Sequence, residues 1–239
     1  MSGIIGIVSG DLSRWTAFHT CLDALDIPEG WTIKRVTPGA NIAAGRNALV
    51  EATRSSNVDH LWFLDDDHVF APDTLKRLLA HKALIVAPLV CRRAAPYTPV
   101  MYDWVGDKEY RARWPKETTG TEQVDACGTA GMLIHREVFE EMAPTALEPA
   151  FCVGQLDPDG LGEDIYFCAW CEEHNMPILV DLDTRMGHLT GMAVWPDFQA
   201  TGKYRAEPVG STGFEVVSVR VWGTRLQNGP WSKWIGREG

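Results

Sequence analysis

The stretch that most constrains this chain is residues 60–70, HLWFLDDDHVF. Four apolar residues, Leu61, Trp62, Phe63 and Leu64, run directly into three consecutive carboxylates, Asp65, Asp66 and Asp67, and then His68. A short aromatic run of this kind suits a buried strand better than a helix. Three adjacent carboxylates repel one another and resist burial unless a positive charge neutralises them. At the carboxyl end of a strand in an α/β sheet, where ligands bind, a divalent cation is the natural neutraliser. Taken alone, the run fits a solvated acidic turn equally well, with Asp73 capping the next helix.

The rest of the chain decides between these readings. Its 239 residues suffice for one large α/β domain with a substantial core. A net charge of −10 disfavours an extended nucleic-acid partner, while a local basic patch stays open. No apolar stretch approaches the roughly 18–20 residues needed to cross a bilayer, and the amino terminus lacks a signal peptide's charged start. A soluble, cytoplasmic protein is expected. The six cysteines, Cys21, Cys91, Cys127, Cys152, Cys168 and Cys171, read as reduced, buried thiols. Cys168 and Cys171 form a C-x-x-C, but within a helical pattern and without a partner set for zinc.

In chain order, residues 3–9 (GIIGIVS) read as a first buried strand, with Ser9, Gly10 and Asp11 in the following loop. Trp15, Phe18, Leu22 and Leu25 recur at helical spacing, and residues 31–36 alternate like a second strand. Strand, helix, strand opens a parallel α/β sheet. Residues 38–56 lead small residues into a helix carrying Arg46 and Asn47 near its start. An arginine there can hold a phosphate bidentately, or be an ordinary surface residue. Residues 83–87 are another buried strand.

From residue 88 to 125 the pattern loosens, with four prolines and with tyrosines and tryptophans interleaved among arginines and lysines. This reads as a long irregular connection that faces a substrate, able to stack a sugar or a base and to meet phosphates, or as a mobile loop over the site. Gly128 and Gly131 then bracket a place where backbone can approach a ligand closely. Glu163 and Asp164 open a helix, a position that the macrodipole alone would favour. Residues 178–181 read as a strand, and His188 falls in a following loop.

The ordered set IVSGD, AGRNALVEA, FLDDDHVF, GTAGMLIHREVFE and GEDIYFC, with His188 downstream, resembles the glycosyltransferases of the GT-A fold. The likeness is to family-2-like enzymes and related small bacteriophage enzymes, over roughly residues 3–189. It implies a Rossmann-like, mostly parallel sheet flanked by helices over residues 1–193, with a small Trp-rich β appendage over 194–239. That appendage packs on the domain, pairs subunits or forms an acceptor wall.

The resemblance also implies roles. Asp65, Asp66 and Asp67 look like the DXD element, which holds a nucleotide-sugar diphosphate through Mn²⁺ or Mg²⁺. Asp67 would be the direct metal ligand, with Asp65 nearer the ribose or the metal's water shell and His188 as a further ligand. Ser9, Asp11, Arg46, Asn47, Gly128 and Gly131 fall in the donor-binding pieces. Asp164, with Glu163 beside it, falls where inverting members keep the general base. The implied reaction moves a sugar from a nucleotide-sugar donor, a UDP-sugar, to a hydroxyl acceptor. Small phage enzymes of this appearance include ones that glycosylate hydroxymethylated bases of DNA, which would place the protein in a host cytoplasm. A cell-surface glycan or small-molecule acceptor is the alternative, and a sugar nucleotidyltransferase a more distant one, since IIGIVSGDLSRW is not a glycine-rich triphosphate loop.

Overall fold

The computed structural model describes residues 1–9, 16–37, 41–93, 97–106, 109–153, 160–190, 192–196, 204–210, 213–214, 220–221 and 224–225, with side chains to residue 190. The chain opens with β1 (Gly3–Val8), α1 (Thr16–Asp23), β2 (Trp31–Val36), α2 (Ile42–Ser55) and β3 (His60–Asp65). It continues through β4 (His68–Val69), α3 (Thr74–Ala80), β5 (Ile85–Val90), β6 (Met101–Gly106), β7 (Glu109–Ala112), β8 (Thr121–Val124) and β9 (Ala126–Cys127). Then come β10 (Leu133–His135), α4 (Arg136–Met142), α5 (Glu163–Glu173), β11 (Ile178–Leu189), β12 (Met192–Pro196) and β13 (Tyr204–Gly210).

The central sheet has the order β11-β5-β10-β3-β1-β2. β1 pairs in parallel with β2 and β3, and β5 with β11, while β10 runs antiparallel between β3 and β5. The sheet is therefore mostly parallel and covered on both faces, as parallel strands require. Alternation along β3 shows why this sequence supplies two cores. Leu61 and Phe63 join Leu49 of α2, Phe139 of α4 and Phe167 of α5. Trp62 and Leu64 join Phe18 of α1 and Leu75 of α3. β2 is the edge: only Trp31 is buried, so the expected alternation of burial is absent, and Lys34 and Arg35 face solvent there.

Two expectations are corrected. Residues 88–125 are not an irregular connection. β6 pairs with β7 and β9, and β8 pairs with β11. Pro88 lies inside β5 opposite Asp181, where the β5–β11 register shifts; a bulge is where a strand tolerates proline's missing donor. His188 is not in a loop either. β11 runs on to Leu189, and Asp181 Oδ1 accepts from the backbone N–H groups of Asp183 (2.9 Å) and Thr184 (3.2 Å), holding the irregular segment together. Beyond it, β11 pairs with β4 and then with β12, and β12 with β13. Asp11, Trp222, Trp231 and Trp234 lie outside the described residues, as does the side chain of Trp195.

Gly131 locks this frame. Its φ of +81° lies in the left-handed region. Its N–H donates to Phe63 O and its carbonyl accepts from Trp62 Nε1, both in β3. An added Cβ would stand 2.5 Å from the Pro88 ring and 2.6 Å from Met186 Sδ. Gly131→Ala is therefore expected to destabilise the protein by about 2–4 kcal/mol, combining backbone strain and overpacking. Chemical denaturation checks it, and an unchanged midpoint would contradict the packing described.

Candidate active site

The acidic run leaves β3 at the carboxyl end of the sheet. Asp65, the last residue of β3, lies in register with Val8 of β1, next to Ser9. Asp66 and Asp67 form the turn into β4. The two residues of β4 pair with β11 so that His68 lies directly opposite His188, and the Leu189 N–H donates to Asp67 O at 2.7 Å. This pairing stacks the two imidazoles, centroids 4.3 Å apart at 28°.

The Asp67 carboxylate faces a nitrogen of each ring. One carboxylate oxygen is 2.9 Å from His68 Nδ1, close but not aligned as a hydrogen bond, and Oδ2 is 3.2 Å from His188 Nε2. Burial works to raise the Asp67 pKa; the two imidazoles overcome it and hold the carboxyl well below the usual range. His188 Nδ1 donates to Cys91 O at 3.1 Å. That bond turns Nε2 toward the carboxylate, the orientation a metal-binding imidazole takes from its outer partner. An Nε2 lone pair facing a carboxylate oxygen is repulsive unless a proton or a cation lies between them. Asp67, His68 and His188 bring one ligand atom each within 4.8 Å of one another. One carboxylate oxygen and two imidazole nitrogens form a ligand set for a divalent ion.

Asp65 is not in this group. Its Oδ2 pairs with Arg46 Nη2 at 3.2 Å, and Arg46 Nη1 pairs with Glu163 Oε1 at 2.5 Å. The Arg46 side chain is 2% exposed. Its guanidinium thus joins the end of β3 to the first turn of α5. Asn47, next on α2, is also engaged: its side-chain amide donates to Phe151 O (2.7 Å) and accepts from Phe151 N–H (3.0 Å).

Asp164 follows Glu163 in the first turn of α5. Loss of water raises its pKa above the ordinary aspartate value; Arg46 opposes this and Glu163 reinforces it. Gly128 lies alongside, where an added Cβ would meet Val100 at 2.8 Å and stand 3.7 Å from Asp164 Oδ2. Gly131 is fixed instead by the protein's own packing. Around this end of the sheet, Ser9 Oγ, Arg46 Nε, Asp65 Oδ1 and Thr129 Oγ1 are buried without a protein partner. Unmet buried polar atoms mark where a polar ligand or water belongs.

His68 is the residue that the sequence does not single out, whereas Arg93 belongs to the basic stretch read as facing a substrate. His68 follows the carboxylates, but a two-residue strand leaves no periodicity to reveal its partner. Arg93 places Nη1 3.2 Å from Asp67 Oδ2 with its side chain 65% exposed, and nothing local to it signals this.

A mostly parallel sheet with one reversed strand, and an acidic turn at the carboxyl end of a central strand, is the GT-A arrangement of glycosyltransferases. The chain belongs to the family described as "Glycosyltransferase like family 2", whose sequence model matches residues 29–203, and it is a glycosyltransferase. No curated protein matches it. Among solved structures it is similar to A197 from STIV, with a TM-score of 0.56 at 18% identity, covering 93% of this chain and 100% of that one. It is also similar to GalNAc-T7 with UDP, GalNAc and Mn²⁺, with a TM-score of 0.52 at 13% identity, covering 79% of this chain and 44% of that one. No helix among the described residues is long and apolar enough to cross a membrane.

The placement of Arg46 carries its own expected result. Arg46→Met leaves Asp65 and Glu163 without their cation, and should lower stability by about 3 kcal/mol, toward the low end for a broken buried pair because both carboxylates keep some exposure. Arg46 also holds the Asp164 pKa down. If Asp164 serves as the general base it must be deprotonated, and turnover should then rise with pH through that pKa. Without Arg46 this acid limb should move to higher pH, which a pH–kcat profile reads; an unmoved limb would separate Arg46 from Asp164.

Proposed function

We propose that the protein transfers a sugar from a nucleotide-sugar donor, a UDP-sugar, to a hydroxyl acceptor with inversion at the anomeric carbon. Asp67, His188 and His68 would hold Mn²⁺ or Mg²⁺. When bound, the ion supplies Lewis-acid stabilisation of the diphosphate leaving group. The observation that carries this reading is the opposition of Asp67 Oδ2 and His188 Nε2 at 3.2 Å, with the second imidazole nitrogen tied to Cys91 O.

The remaining chemistry falls to the chain. Asp164 accepts the proton of the acceptor hydroxyl as its oxygen bonds to the anomeric carbon, and the bond to the diphosphate oxygen breaks with its electron pair. A carboxylate with a raised pKa is the stronger base, and the Arg46–Glu163 pair fixes the helix turn that carries it. Asp65, anchored by Arg46, and Ser9 beside it offer unpartnered oxygens for donor hydroxyls. The GalNAc-T7 structure with UDP and Mn²⁺ supports the donor and metal classes.

Within the basic stretch Arg92, Arg93 and Arg111 stay exposed, and Arg113 is turned inward. Arg113 pairs with Asp103 (2.6 Å) and Glu122 (2.7 Å), and Arg92 donates to Tyr102. The acceptor is proposed as a hydroxyl. Incubating the protein with UDP-sugars and Mn²⁺, and following UDP release, tests the reading. Release with none of a panel of UDP-sugars would overturn the donor assignment.

A further inference from the structure

Asp67 Oδ2, the oxygen that faces His188, is shared. His188 Nε2 and Arg93 Nη1 both stand 3.2 Å from it. The two neighbouring arginines are held differently. Arg92 donates to the Tyr102 hydroxyl and stacks over its ring, 5.5 Å from the centroid. Arg93 reaches out on a side chain that is 65% exposed, and Asp67 is the partner it touches. An exposed ion pair of this kind is weak and easily exchanged.

We infer that Arg93 is an exchangeable counter-ion: it occupies Asp67 when no metal is bound, and moves to the donor's diphosphate when a divalent ion takes that oxygen. The inference rests on the metal and donor reading above and adds a residue to it. A divalent cation held by Asp67 and His188 would take Oδ2 as a ligand and repel the guanidinium from it. The anion then nearest to Arg93 is the one the metal attracts. A guanidinium is shaped for this transfer, because its planar fork matches phosphate oxygens as well as carboxylate oxygens. No bond is made or broken; one cation replaces another on Asp67, and the displaced one pairs with phosphate. The same residue thus weakens metal binding by the free enzyme and strengthens nucleotide binding by the metal-loaded one.

These opposite signs make the test. Arg93→Gln is compared with wild type by calorimetry, first with Mn²⁺ alone and then with UDP or UMP at saturating Mn²⁺. The variant should bind Mn²⁺ about two- to fivefold more tightly, the span of an exposed ion pair removed from competition. It should bind UDP about ten- to a hundredfold more weakly, the usual worth of a charge-assisted phosphate contact, and UMP with a smaller loss. Arg93→Lys should keep the Mn²⁺ affinity near wild type and recover part of the UDP binding. Unchanged or weaker Mn²⁺ binding in Arg93→Gln would overturn the competition. Unchanged UDP affinity would overturn the transfer to phosphate. Wild type that binds no Mn²⁺ would overturn the metal reading itself, and this inference with it, an outcome distinct from the other two.

Discussion

Replacing Asp67 by asparagine is expected to abolish sugar transfer and Mn²⁺-dependent UDP binding together while the protein stays folded. Asp67 offers oxygens to both His68 and His188, so it is the shared ligand of the candidate metal group. Loss of a partner behind a metal ligand typically weakens binding 10- to 100-fold, and removal of an anionic ligand itself should exceed about a hundredfold. Asparagine keeps the shape of the turn, and the backbone bond from Leu189 N–H to Asp67 O does not involve the side chain. The folded frame should therefore survive, which a melting curve checks. His188→Ala should give the same phenotype, since it removes the opposing nitrogen. A variant at either position that retains full metal-dependent UDP affinity would remove that residue from the metal group.

Asp164→Asn is expected to lower transfer by roughly two to four orders of magnitude, the usual span for a lost general base. The amide keeps the shape and most hydrogen bonding of the carboxylate but accepts no proton. UDP and Mn²⁺ binding should remain near wild type, because Asp164 is not in the group formed by Asp67, His68 and His188. The product's anomeric proton coupling, read by NMR, should report inversion relative to the donor. Retention, or a variant within tenfold of wild type, would leave Asp164 as a positioning or helix-start residue.

Elements shaped by local interactions are legible in the sequence, and those shaped by distant partners are not. β1, β2, β3 and α2 are legible because their patterns are local: an unbroken apolar run, a strand after Pro28 and Gly30, an aromatic run stopped by charge, a small-residue helix start. The extent of β11 is not, because residues 181–188, DLDTRMGH, carry charge and glycine, and their strand character comes from partners in β5, β4 and β12. The site divides in the same way. The carboxylates and His188 stand out by type, but Asp67 and His188 are 121 residues apart and only the strand register opposes His68 to His188. Arg46 looks like an anion holder on a helix; two carboxylates from distant elements make it a buried brace, and its pairing with Asp65 keeps that carboxylate apart from Asp67, His68 and His188.

If Asp67 and the two histidines bind the nucleotide donor through a divalent ion, isothermal calorimetry of UDP into the wild-type protein should show saturable binding with Mn²⁺. That binding should be lost in EDTA and in Asp67→Asn. Equal UDP affinity in EDTA, or in Asp67→Asn with Mn²⁺, would rule this arrangement out.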